Sequence, residues 1–139
     1  MVSIRDVDSK KLVDIAAEQL KEKIKMPQWA VYVKTGVNRE RPPESKDWWY
    51  VRGASIMRRL YVDSPVGVSR LRTRYGGLHR RGHKPAHFAR GGGKIIRTLL
   101  TDLEKAGLVA KQKKGNVVIG RVLTKEGIKL VNAAAKKAK

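Results

Sequence analysis

No cysteine occurs among the 139 residues, which removes disulfides, thiolate metal sites and cysteine catalysis together and fits a cytosolic chain. Long apolar runs are also missing. The longest, such as Leu99-Leu100 or Val117-Val118-Ile119, fall far short of the roughly 18 residues that a membrane span needs. The opening Met1-Val2-Ser3-Ile4-Arg5-Asp6 lacks the apolar core of a secretory signal and is expected to be a mature start. Acids are scarce. Twelve Asp and Glu face 32 Lys and Arg, a formal charge of +20. Such an excess repels itself and calls for a polyanionic partner, either nucleic acid or an anionic membrane surface. The 41% apolar content is enough for a packed core, and the length suits one domain spanning 1–139.

The distribution of charge chooses between those partners. From Arg52 to Arg97 there are twelve cations (Arg52, Arg58, Arg59, Arg70, Arg72, Arg74, Arg80, Arg81, Lys84, Arg90, Lys94 and Arg97) against one acid, Asp63. Ten of the twelve are arginine, whose planar fork binds phosphate through two donors and stacks on bases. Glycines and prolines break the stretch, whereas a membrane-surface segment would be a continuous amphipathic helix. A merely solubilising surface would mix both signs, as the first thirty residues do. Nucleic acid is the better reading.

Apolar periodicity predicts mostly helix. Asp8 or Ser9 caps a first helix running to about Lys25, with Leu12, Ala16, Leu20 and Ile24 on one face. Trp29, Val31 and Val33 alternate briefly after Pro27, and a polar loop follows. A second helix is expected from about Ser45, with Asp47 in its first turn. Trp49, Gly53, Ile56, Met57 and Leu60 form its core face, while Trp48, Arg52, Ser55 and Arg59 line another, with Arg58 at its margin. On that second face Trp48 either packs under Arg52 as a cation–π pair or meets RNA while the arginines neutralise phosphate. A third helix is expected with Ser64 as N-cap and Pro65 at its first position; Val68, Leu71 and Tyr75 point inward.

Residues 76–93 hold six glycines and four cations, and are expected to form a long basic loop, mobile alone and ordered on RNA. All three histidines lie there. His79, His83 and His87 would align on a helix as metal ligands, but Gly82 and Pro85 argue against a helix and no acid lies near. RNA contact or loop packing is expected instead, with no metal. Gly91-Gly92-Gly93-Lys94 lacks the ending of a nucleotide loop, yet free amides there would attract a backbone phosphate. No nucleophile or base with a tuned partner is evident, so neither catalysis nor a cofactor is expected.

The clearest element is a fourth helix, about Lys94 to Ala106, closed by Gly107 and Leu108. Two short strands, roughly Leu108 to Gln112 and Val117 to Leu123, flank Lys113-Lys114-Gly115-Asn116, and Thr124 caps a last helix. This order predicts a mainly α, winged helix-turn-helix-like domain with a small β-hairpin wing. A winged-helix DNA-binding regulator is the alternative function, disfavoured because charge lies upstream of the wing and the preceding helix carries Asp102 and Glu104 outside.

Trp48-Trp49-Tyr50-Val51-Arg52-Gly53-Ala54-Ser55-Ile56-Met57-Arg58-Arg59-Leu60-Tyr61 resembles the signature helix of the eukaryotic- and archaeal-type small-subunit ribosomal protein number nineteen. Tyr75-Gly76-Gly77, Pro85-Ala86-His87-Phe88-Ala89-Arg90-Gly91, and Leu103-Glu104 with Gly107-Leu108 extend the likeness over nearly the whole chain, and the short tail resembles archaeal members. The resemblance implies a winged-helix-like structural protein in the head of the small ribosomal subunit. It also implies a role in maturing the rRNA precursor, and a functional surface on Trp48, Arg52, Ser55, Arg58 and Arg97. Small-subunit rRNA and neighbouring ribosomal proteins become the expected partners of a cytoplasmic chain that is monomeric when free.

Overall fold

A computed structural model describes residues 3–139; Met1 and Val2, at the start of the segment compared with a secretory signal, lie outside them. Five α-helices and two antiparallel hairpins follow one another as α1 (Ser9–Lys21), α2 (Trp48–Asp63), α3 (Val68–Arg74), β1 (Gly77–Arg81), β2 (Lys84–Ala89), α4 (Gly93–Lys105), β3 (Val109–Lys114), β4 (Val117–Leu123) and α5 (Lys125–Ala138). The fold is mainly α and winged-helix-like. Helix α1 packs on α2 and α5, and α3 packs on α4. Between them lies a core that includes Leu12, Leu20, Trp49, Ile56, Met57, Leu60, Leu71, Ile96, Leu99, Leu100 and Leu103, each at most 2% exposed.

Local chemistry explains most boundaries. The Asp8 carboxylate accepts from the Lys10 amide at 3.0 Å and starts α1. The helix stops at Lys21, one turn before the expected Lys25, because the amides of Lys23 and Ile24 both turn back to the Leu20 carbonyl. Gly107 adopts φ +74°, so the Leu108 amide reaches the Leu103 carbonyl at 3.0 Å and α4 closes in a Schellman turn. The Thr124 hydroxyl accepts from the Gly127 amide and caps α5.

Four expectations need correction. Residues 28–31 form one 3-10 turn instead of alternating strand; Ala30 is buried there while Val31 is exposed, and the Trp29 ring packs edge-on against Trp49 at 5.6 Å. Helix α2 starts at Trp48, and Asp47 sits at its N-cap with its carboxylate on Lys21 Nζ at 2.7 Å. Helix α3 begins at Val68 after Gly67, not at Pro65, because Val66 is held in a two-way backbone pair with Arg121 of β4.

The fourth correction concerns function most directly. The expected glycine-rich loop of 76–93 is largely a β-hairpin, with Leu78 opposite Phe88 and His79 opposite His87. Gly82 and His83 turn it between Arg81 and Lys84, with Gly82 at φ +69°. Glycine at the first central position with positive φ is what a type II′ hairpin turn requires. A bridge between Gly36 and Gly91 ties its base to the loop before α2.

The second hairpin, β3–β4, is the wing, paired from Val109–Leu123 out to Lys114–Val117. Its Arg121 side chain donates to Glu104 of α4 at 2.6 Å, and Lys111 lies 3.8 Å from the same carboxylate. The wing is thereby fixed to the helix that precedes it.

Candidate nucleic-acid interface

Helix α2 carries its charge on the side away from the core, and that side floors an open groove of about 760 Å³. Helix α1 forms one wall and residues 35–45 the other. Arg52, Ser55 and Arg58 all line it. Arg52 is half-buried. Its guanidinium carbon lies 4.2 Å from the Tyr75 ring centroid, and burial, with Arg39 nearby, pulls its pKa below the ordinary arginine value despite the opposing effect of Tyr75. The Tyr75 hydroxyl lies 2.7 Å from Ser55 Oγ. Ser55 therefore holds the ring on which Arg52 rests, and its hydroxyl is already engaged. Burial raises the Tyr75 pKa, opposed by the Ser55 hydrogen bond and by the charges of Arg52, Arg74 and Arg59.

Trp48 departs from expectation. It is 8% exposed, sits in the corner between α1 and the 35–45 loop, and packs edge-on against Trp49 at 5.5 Å. The arginine stack belongs to Tyr75, and Trp48 lines the groove as a largely covered ring. Arg58 lies in the groove with its Nε buried and without a hydrogen-bond acceptor among the described residues.

Around the same helix, Arg59 pairs with Asp63 at 2.5 Å and shares a cleft with Arg70 and Arg74. Arg59 belongs to α2 and Arg70 and Arg74 to α3, so this cleft joins cations of the two helices.

Arg72 is a stitch: its Nε donates to the Gly91 carbonyl at 3.0 Å and anchors the base of the basic hairpin. With Arg97 it flanks the start of α4, where a methyl on Gly93 would come 2.7 Å from Arg97 Nη1 and 3.3 Å from Arg72 Nε. Arg97 is exposed. Lys94 lies 4.7 Å over the Trp29 ring, so its charge is partly occupied by a cation–π contact.

Arg80, Arg81, Lys84 and His87 project from the exposed hairpin. Arg81 Nε also donates to the Pro85 carbonyl across the turn at 3.0 Å. Arg90, at the base of the hairpin, reaches Ser69 Oγ at 3.5 Å. His79 pairs with His87 across the strands while His83 sits at the turn, and no group of three or more possible metal ligands forms among the described residues.

A family model for ribosomal protein S19e matches residues 3–139. The chain belongs to the ribosomal protein S19e family. The small ribosomal subunit protein eS19G of Ascaris suum is 49% identical over 129 residues, covering 91% of this chain and 85% of its own length. The small ribosomal subunit proteins eS19 of Thermoplasma acidophilum and Aeropyrum pernix are 44% and 43% identical over 138 and 140 residues. Both alignments cover 98% of this chain and 89% of the relative.

Of the five positions that the family resemblance singled out, four meet at the S19e groove and only Arg97 stands apart, at the start of α4. Sequence reasoning missed Arg39 and Arg41, which line the groove from its loop side, and Lys10 from α1. Two arginines beside Pro42-Pro43, just before a Trp-Trp helix start, were the available signal. Glu40 and Glu44 between and after them made the segment look like an ordinary mixed surface.

Proposed function

We propose that this S19e-family chain is a structural, non-enzymatic constituent of the small ribosomal subunit, working in the cytoplasm. It would bind rRNA in the subunit head through the α2 groove, the α2–α3 belt and the basic hairpin, and support subunit assembly and rRNA precursor maturation. The observation that carries this reading is the groove, where Arg39, Arg41, Arg52, Arg58 and Lys10 converge on one concavity and none joins an ion pair among the described residues. Unneutralised guanidinium groups held by packing are ready partners for phosphate, and the release of counterions drives binding. Trp48 contributes packing and Ser55 acts through Tyr75. Arg52, Arg58, Arg59, Arg70, Arg74, Arg80, Arg81, Lys84, His87, Arg90 and Arg97 supply contacts, with Arg72 and Lys94 giving the rest of their charge.

Recognition is of RNA shape, since an A-form duplex hides its major-groove base edges from side chains. The exposed Val117, Val118 and Ile119 of the wing suit contact with a neighbouring ribosomal protein, and the closed core suits a monomer when free. No helix among the described residues is long and apolar enough to cross a membrane.

The acids of α4 do not argue against a DNA regulator after all. Asp102 and Glu104 are half-buried, Glu104 is taken up by the wing, and the exposed residues of α4 include Lys94, Arg97, Thr101 and Lys105. Membership of a ribosomal family now weighs against that alternative. Subunit reconstitution tests the proposal. Arg39→Glu/Arg41→Glu, at two exposed positions of the groove, should fold with an unchanged melting temperature and incorporate poorly; full incorporation would refute the groove as the rRNA contact.

A further inference from the structure

We propose that the groove holds one unpaired nucleotide of the RNA, its base against the apolar side chains of the lining and its phosphates on the cations among them. This rests on the RNA-binding reading above and narrows it to a ligand class. The groove's volume, about 760 Å³, falls within the roughly 300–1,000 Å³ of small-ligand sites. It is lined by α1, α2 and the 35–45 loop, and each brings apolar surface: Val13 from the first, Val51 and part of Trp48 from the second, Pro42 and Pro43 from the third.

A phosphate-only contact makes poor use of that lining. A duplex presents phosphates on a convex outside and keeps its bases stacked within. It would satisfy the arginines and leave Val13, Pro43 and Val51 facing water. A base extruded from a bulge or loop brings a flat, largely apolar face, with a phosphate on either side of its sugar. Cations on all three walls match those phosphates: Lys10 on α1, Arg52 and Arg58 on α2, Arg39 and Arg41 on the loop.

Two carboxylates complete the chemistry. Asp14 on α1 and Glu44 on the loop also line the groove, and neither is in an ion pair or side-chain hydrogen bond among the described residues. They weigh against an acidic peptide. Toward a nucleotide they are acceptors for a base amino group or the ribose 2′-hydroxyl, the group that distinguishes RNA from DNA.

The test uses the full chain and two RNAs: a paired duplex, and the same duplex with one bulged 2-aminopurine. Covering about 40–80 Å² of the groove's apolar lining with a base face, at about 25 cal/mol per Å², corresponds to about 5- to 30-fold in affinity. The bulged RNA should bind tighter by a factor in that range, with a change in 2-aminopurine emission. Val51→Gln should reduce the preference for the bulge while affinity for the paired duplex stays the same. Equal affinity for the two RNAs, or unchanged emission on binding, overturns the nucleotide socket and leaves RNA binding standing. Failure to bind either RNA overturns both.

Discussion

Tyr75 should control RNA affinity without touching RNA, because its ring fixes the direction of the Arg52 guanidinium. Freed from that ring, an arginine regains rotamers whose ordering costs up to about 2 kcal/mol. The cation–π interaction itself, at 4.2 Å and half-buried, is worth about 1–2 kcal/mol. That stack exists in the free and the bound chain alike, so only the ordering cost reaches affinity, and Tyr75→Leu should weaken RNA binding by up to about 30-fold. Tyr75→Phe keeps the ring and removes only the 2.7 Å bond to Ser55. It should lower stability by about 0.5–1.5 kcal/mol and leave RNA affinity within about twofold, since the stack survives. Fluorescence anisotropy on a labelled small-subunit rRNA fragment reads affinity, and urea melts read stability. The deciding comparison is a double-mutant cycle with Arg52→Ala. If Tyr75→Leu weakens binding by the same factor when Arg52 is absent, Tyr75 does not act through Arg52 and the reasoning fails.

Removing three hairpin cations at once, Arg80→Ser/Arg81→Ser/Lys84→Ser, should lower the slope of log affinity against log salt by about 0.9 for each phosphate no longer neutralised; an unchanged slope would take the hairpin out of the interface. Leu99→Ala, at a fully buried position of α4, should lose about 2–5 kcal/mol of stability in a urea melt; a parental melt would contradict the core assignment. Tyr75 should also mark the alkaline limit of the fold. Its pKa is raised above the ordinary 10.0 by burial, so the native chain holds a proton that the unfolded chain releases. Its contribution is present below pH 10 and is lost as pH climbs through the folded value. Absorbance at 295 nm should show a late phenolate step that Tyr75→Phe removes; a titration identical in the two proteins would refute it.

Helix α4 was legible in the sequence because Ile95, Ile96, Leu99, Leu100 and Leu103 are strictly periodic and Gly107 marks the stop. The wing was legible because its strands are bracketed by that stop and by the Thr124 cap. The β1–β2 hairpin was not. Its large apolar residues, Leu78 and Phe88, are opposite each other and exposed, so no buried face imprinted an alternation. Glycine density pointed to a loop, whereas Gly82 serves one turn and Gly91 the root. In the candidate site, helical spacing placed Arg52 and Ser55 together. It set Arg59 on their face and Arg58 only at its margin, whereas Arg58 lines the groove and Arg59 turns to Asp63 in another cleft. It misjudged Trp48, since α1 and the preceding loop cover the first turn of α2, and no pattern within α2 announces that. Arg39 and Arg41 escaped for the complementary reason: a loop has no period, and only its closure over α1 and α2 brings them to the groove.

The most direct measurement is ultraviolet crosslinking in cells of origin, with both ends identified: the RNA by sequencing, the peptide by mass spectrometry. Small-subunit rRNA should dominate the reads, and the adducts should fall within residues 39–58 and the hairpin at 77–90. Reads dominated by DNA or by unrelated RNA, or adducts confined to α5 and the wing, would contradict the account.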